Sequence, residues 1–187
     1  ILREIERMEL YLNELMSLSP DSLTRQRALN RSELRLSELA DSVLNILEGK
    51  CKHSGIIIER NYIANEPYIF VDGDLLRMAI MNLIVNAIEA MPNGGSMKVS
   101  TTNRNDIVVF AVADTGGGVK DYGKNIFDAF VSDKPNGVGL GLYLCKQIIE
   151  RHGGIIKYEN TGKGAIFNFE LPVNNNESNK KFSVSGC

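Results

Sequence analysis

Between Asp74 and Met91 the chain places Leu75, Leu76, Met78, Ala79, Ile80, Leu83, Ile84, Val85, Ala87 and Ile88 around most of the surface of a helix. A helix that is apolar on most of its surface has to be buried, so this segment belongs at the centre of a layered domain. Asn82, Asn86 and Glu89 stand out against that background. Steps of four and three, at about 100° per residue, bring all three into one narrow strip. An unpaired buried polar group costs about 1–3 kcal/mol, so the strip needs partners. Neighbouring strands are one source, and a bound metal with its phosphate oxygens is another. Mg²⁺ suits such a strip because it prefers oxygen ligands and draws several of them from phosphate and water.

Two glycine clusters follow. Asp114-Thr115-Gly116-Gly117-Gly118 comes directly after an apolar strand. A carboxylate at a strand end can accept a hydrogen bond from an exocyclic amine, and glycines let the backbone approach a flat base. The same residues also suit a tight turn that needs positive φ. Asn136-Gly137-Val138-Gly139-Leu140-Gly141 runs into a helix start, where free N–H groups and the helix dipole favour an anion. A flexible loop is the plainer reading of that segment. Between the clusters, Val119 to Pro135 reads as a mobile lid whose Phe127 and Phe130 dock it down. Lys134 is available there to reach a terminal phosphate, or else is a solvated surface charge. Each signal alone is weak, but together they follow the order that one nucleotide pocket requires.

Composition closes off other classes. Of 187 residues, 43% are hydrophobic and 24% charged, which fits a folded globular chain rather than a disordered one. A net charge of −2 argues against a nucleic-acid clamp. No apolar run approaches the roughly 20 residues of a membrane span. Cys51, Cys145 and Cys187 are scattered, without metal-ligand spacing, and read as reduced thiols of a cytoplasmic protein. Because the chain starts at Ile1 rather than methionine, it is expected to be a piece of something longer, with any membrane anchor elsewhere.

Residues 1–18 carry a helical seam of Ile1, Ile5, Met8, Leu12 and Leu15 that needs a partner helix. Residues 1–20 are thus expected as a helical piece and 21–33 as a linker. A compact α+β domain is expected over 34–172, with a mobile tail over 173–187. Within the domain, Leu34-Arg35-Leu36 reads as a short edge strand. Ser37 reads as the cap of a helix whose core face is Leu39, Val43, Ile46 and Leu47. Strands are expected at 56–59, 68–71, 97–102, 107–113, 155–159 and 165–171. A turn at Asn103-Arg104-Asn105 and a helix over 140–151 complete the pattern.

In order and spacing, the Asn82–Glu89 strip, Asp114–Gly118, Ile126–Phe130 and Asn136–Gly141 resemble the ATP-binding domain of sensor histidine kinases. That domain is a relative of gyrase, Hsp90 and MutL. The resemblance covers about residues 34–172 and implies a two-layer α/β sandwich, a mixed sheet packed on three helices, preceded by a helical segment. It implies that ATP or ADP is bound, that Asn86 holds Mg²⁺ and that Asp114 receives the adenine amine. The residues implied around the nucleotide are Asn82, Asn86, Glu89, Asp114, Gly116, Gly118, Phe127, Lys134, Gly137, Val138, Gly139, Leu140, Gly141 and Gly164. Those implied for catalysis are Asn82, Asn86 and Lys134. Ser132-Asp133-Lys134 resembles the Thr-Thr-Lys element found just before the second glycine box in nitrogen-regulator-like kinases. Gly162-Lys163-Gly164 and Phe167 to Pro172 resemble its closing hairpin.

Two departures accompany the resemblance. Ala165 stands where the family usually has a threonine beside the base. No histidine followed by an acidic residue on a bundle helix is present, since the histidines are His53 and His152. Residues 1–18 resemble the second helix of the family's dimerisation hairpin and offer a possible homodimer contact. The implied partners are therefore a histidine-bearing helix of the same full-length protein and a response regulator. The implied function is to present the γ-phosphate of Mg-ATP to that histidine. Hydrolysis of the gyrase, Hsp90 or MutL type is an alternative, although Asn82 stands where those enzymes carry a water-activating glutamate. A nucleotide-binding regulatory module without transfer is another.

Overall fold

A computed structural model describes residues 28–120, 125–132 and 138–173. The strands are β1 (Arg31–Leu34), β2 (Ile56–Asn61), β3 (Ile69–Asp72), β4 (Gly95–Arg104), β5 (Ile107–Asp114), β6 (Ile155–Asn160) and β7 (Ala165–Pro172). The helices are α1 (Leu36–His53), α2 (Gly73–Ala90) and α3 (Gly141–Arg151). Five strands form one sheet in the order β2-β4-β5-β7-β6, with β2 parallel to β4 and the other pairs antiparallel. A second, two-stranded sheet joins β1 to β3. The expected mixed sheet with three helices is present.

Alternation along the strands decides which face is core. Met97, Val99 and Thr101 of β4, Val108, Phe110 and Val112 of β5, and Phe167, Phe169 and Leu171 of β7 are all buried. Phe110 and Phe169 sit opposite one another in register and stack at 5.0 Å. Each large apolar side chain so buried contributes about 1.5–3 kcal/mol relative to exposure. Onto this face α2 packs, flanked by α1 and α3. Nine of its eighteen residues are buried, Leu76, Ile80, Leu83 and Ile84 among them, as a helix apolar on most sides requires.

Several element boundaries differ from the sequence expectation. Strand β1 begins at Arg31, inside the stretch expected as linker, because Arg31–Leu34 pairs with Ile69–Asp72. Leu36 leaves that strand and opens α1, fully buried. Ser37 is not the cap. Arg35 holds the N-cap position, and the Ser37 N–H donates instead to the carboxylate of Glu66 at 3.1 Å. The α1 core face is Leu36, Leu39, Ala40, Val43 and Leu44, while Ile46 is 66% exposed. Ile46 sits about 100° round the helix from Leu47, off the buried stripe. Strands β4 and β5 stay paired to Arg104 and Ile107, so the turn is Asn105-Asp106, with Asn105 at φ +56°. Asparagine tolerates that left-handed position. The seam expected over residues 1–18 lies outside the described residues, as does the tail from 174.

His152 ties the end of α3 to the start of α2. Its Nε2 accepts the Asp72 N–H at 3.0 Å, which leaves Nδ1 to donate to the Ile148 carbonyl at 2.7 Å. Asp72 in turn caps α2 by accepting from Leu75 N at 3.2 Å. Burial is the main cause that holds the imidazole below its ordinary value, with Arg31 and Arg151 adding to it and Asp72 opposing. A base whose folded pKa is depressed is neutral in the fold while the unfolded chain takes up the proton. Its contribution is therefore complete above about pH 6.5 and is lost as the pH falls below that value. We expect urea midpoints to drop between about pH 7.5 and about pH 5, and His152→Gln to flatten that drop. An equal drop in the variant would assign the pH dependence to other groups.

Candidate functional site

The three polar residues of α2 divide by depth. Asn82 is buried at 2% exposure, Asn86 is half-buried, and Glu89 is exposed. All three are engaged by other groups. The strip predicted from spacing thus runs outward along α2, from the core at Asn82 to the surface at Glu89. Glu89 is not on a buried face, although Ala87 and Ile88 beside it are buried.

Asp114 ends β5 on the core-facing side, continuing Val108, Phe110 and Val112, and is itself buried. Its Oδ1 accepts from the Gly116 N–H at 2.8 Å and from the Ala165 N–H at 3.4 Å. Among the described residues nothing donates to its Oδ2, and that oxygen is not sealed from its surroundings. Position 165 thus contributes a backbone donor to Asp114 although its side chain has no hydroxyl. A buried carboxylate with one oxygen fixed by backbone donors and the other open is a preset acceptor for one amine or amide.

Close backbone approach explains the glycines. A Cβ on Gly116 would lie 2.5 Å from the Ala90 carbonyl oxygen, so the loop rests directly on the end of α2. A Cβ on Gly164 would run into the Asp114 carbonyl and approach Asp114 Oδ1 at 2.8 Å. Gly117 has φ +88° with open space beside it. The β6–β7 turn is held by Thr161, whose Oγ1 donates to the Gly164 carbonyl at 3.1 Å and accepts from Gly164 N at 2.9 Å. That threonine was not singled out from sequence, and only the Thr-x-x-Gly spacing hinted at it.

At the second glycine cluster, Leu140 is buried and Gly141 opens α3 without a side-chain cap. The first N–H groups of an uncapped helix are unpaired within it and suit an anion. Gly139, at φ +72°, lies so close to Phe130 that a Cβ there would meet its carbonyl carbon at 2.6 Å. The Phe130 N–H donates to the Gly139 carbonyl at 2.9 Å. The two expected lid aromatics part company. Phe127 is buried and meets Tyr158 edge-on at 6.1 Å, whereas Phe130 is 74% exposed at φ +66°. Its backbone, not its ring, makes the contact. Val138 is also exposed. Lys134 and Gly137 lie outside the described residues. Among the described residues no group of three His, Cys, Asp or Glu is placed to hold a metal.

The sequence profile described as histidine kinase-, DNA gyrase B- and HSP90-like ATPase matches residues 71–175. Over 177 residues the chain is 34% identical to sporulation kinase C of Bacillus subtilis, covering 92% of this chain and 40% of that protein. Sporulation kinase A of the same organism is also 34% identical, over 92% of this chain and 28% of its own length. The chain therefore spans well under half of these curated relatives. Among solved structures, the catalytic domain of histidine kinase ThkA aligns with a TM-score of 0.71 at 31% identity, over 78% of this chain and 97% of that one. ThkA in complex with response regulator protein TrrA aligns at 0.75 and 28% identity, over 92% and 49% of the two chains. Full-length ShkA in complex with AMPPNP aligns at 0.70 and 29% identity, over 77% and 31%.

Substitutions at the glycines test the packing around Asp114. Gly116→Ala and Gly164→Ala meet backbone and should each lose about 1–3 kcal/mol. Gly117→Ala has space but the wrong φ, and should lose about 1–2 kcal/mol. Gly162→Ala, with nothing within 4 Å, should stay within about 0.5 kcal/mol of the parent. Chemical-denaturation midpoints read this order, and a reversal between Gly116 and Gly162 would refute it.

Proposed function

The chain belongs to the histidine kinase-, DNA gyrase B- and HSP90-like ATPase family, and on that premise we propose that it is the ATP-binding catalytic domain of a two-component sensor histidine kinase. Its task is to present the γ-phosphate of Mg-ATP to a histidine on another segment or chain. The observation that carries the reading is Asp114, with Oδ1 committed to two backbone donors and Oδ2 open. That geometry suits one exocyclic amine, as on adenine. The AMPPNP complex of ShkA and the TrrA complex of ThkA support ATP or ADP as ligand and a response regulator as downstream partner.

Asp114 accepts from the adenine amine, while Gly116, Gly118 and Gly164 keep side chains out of the way of base and loop. The uncapped start of α3, with Gly137, Val138, Gly139, Leu140 and Gly141, takes the phosphates through backbone N–H groups. Asn86, half-buried on α2, would hold Mg²⁺ through its amide oxygen, and Lys134 adds a point charge. Bound Mg²⁺ would neutralise phosphate charge as the phosphoryl group leaves. Phe127, docked on Tyr158, closes the side of the pocket. Asn82 cannot take a proton from water, because an amide has no basic lone pair to offer. Phosphoryl transfer by positioning, with the nucleophile supplied from outside, fits that better than hydrolysis.

A homodimer through residues 1–18, Glu89 at the rim of the nucleotide site and a cytoplasmic location complete the proposal. No helix among the described residues is long and apolar enough to cross a membrane.

Three measurements test this reading. Asp114→Asn presents an amide N–H where the adenine amine must donate, so affinity for ATP and ADP should fall by about 10- to 100-fold with the fold intact. Parent-like affinity would remove Asp114 from the role. Asn86→Ala should weaken Mg-ATP by about tenfold or more while magnesium-free ADP changes by less than about threefold. Mixing the chain with a separate hairpin bearing a phosphorylatable histidine and labelled ATP tests transfer, and no label on the hairpin would leave only a binding module.

A further inference from the structure

We propose that Asn160, the last residue of edge strand β6, is a positioning residue for the loop that follows Asp114. The inference rests on the nucleotide-binding reading above. Strand β6 faces the helix layer with Ile156, Tyr158 and Asn160, opposite Phe169, Phe167 and Ala165 in register. Ile156 is buried in the core. Tyr158 stacks on Phe167 at 5.8 Å and carries Phe127 on its edge at 6.1 Å. Asn160 comes next on the same face, where the core ends and the glycine loop passes.

Its carboxamide makes a two-point clamp on Val119. The Val119 N–H donates to Asn160 Oδ1 at 2.8 Å, and Asn160 Nδ2 donates to the Val119 carbonyl at 2.8 Å. A planar amide offers a donor and an acceptor side by side, so it pairs with one residue's backbone as a neighbouring strand would. Gly118, at φ +83°, passes beneath, where a Cβ would lie 2.9 Å from Asn160 Oδ1. The Gly117 N–H adds a bond to the Lys163 carbonyl at 3.1 Å, from the same hairpin.

The loop is thereby held at both ends. Asp114 is fixed by Ala165 N–H at one end, and Val119 is fixed by Asn160 at the other. A loop ordered before the ligand arrives does not lose that freedom on binding, so affinity rises without any contact between Asn160 and the nucleotide. Both clamp bonds lie at the exposed surface. Their loss should therefore loosen the loop far more than it destabilises the sheet. The same strand face holds both Val119 and Phe127, so β6 anchors the chain on leaving the first glycine box and again at the lid aromatic.

The test compares the full chain with Asn160→Ala and Asn160→Asp. Calorimetry measures Kd for Mg-AMPPNP, hydrogen exchange follows the Val119 amide without nucleotide, and a thermal scan records the midpoint. For Asn160→Ala we expect Kd to rise by about 5- to 30-fold and Val119 exchange to quicken by about tenfold. The thermal midpoint should move by no more than about 4 °C. Asn160→Asp keeps an acceptor for the Val119 N–H but turns a carboxylate oxygen toward the Val119 carbonyl, so its exchange should fall between those of the parent and Asn160→Ala. Parent-like Kd and exchange in both variants would overturn the inference. A midpoint loss large enough to account for the whole Kd change would mark a purely structural role and overturn it too. Failure of the parent to bind Mg-AMPPNP would sink the nucleotide reading, and with it the positioning role, while faster Val119 exchange in the variants would still establish the clamp itself.

Discussion

The burial of α2 on nearly every side is the constraint from which the rest of the structure follows. A helix carrying Leu76, Ile80, Leu83, Ile84 and Ile88 cannot lie on a surface without exposing several large apolar side chains. It is therefore sealed by β5 and the sheet beneath and by α1 and α3 on its flanks. That sealing places Asn82 where water is excluded and leaves Asn86 at the margin. It also brings the end of α2 under the first glycine loop, because only a glycine at 116 lets the loop rest on the Ala90 carbonyl. The polar strip and the first glycine loop meet because one helix had nowhere else to go.

Asp114 is the second fixed point. Core-facing alternation along β5 would put an apolar side chain at this position, and a carboxylate there is tolerated because backbone N–H groups meet one of its oxygens. Cradling of this kind orients the group as well as stabilising it. The hairpin between β6 and β7 supplies the cradle through Ala165 N–H, with Thr161 fixing the turn that presents it. Loss of a side-chain hydroxyl at 165 thus leaves the backbone part of the arrangement standing. His152 does comparable work at the far end, bridging α3 to the N-terminus of α2, so the two helices share one buried polar joint.

Much of this was legible in the chain. The period of Leu75 to Ile88 gave a buried helix, the run from Ile107 to Ala113 a strand, and the order of the glycine clusters a resemblance to the family whose profile matches residues 71–175. The less legible features depend on partners far away in sequence. Ser37 looked like a cap, yet its N–H is met by Glu66, twenty-nine residues on. Ile46 looked like core by spacing, but α1 turns a neighbouring stripe inward. Phe127 and Phe130 looked alike, and only packing against Tyr158 separates the buried ring from the exposed one.

By itself, the sequence determined what local periodicity and backbone chemistry control: which helix must be buried, where glycine is needed, and which residue types could meet a phosphate, a metal or a base. It did so because those properties belong to residues a few positions apart. Tertiary structure alone decided that Asn82 lies deep while Glu89 reaches the surface, and that Asp114 has one oxygen committed and one open. It alone joined Asn160 to Val119 across forty-one residues. Those outcomes depend on which strand lies beside which, and the sheet order, not the local sequence pattern, sets that.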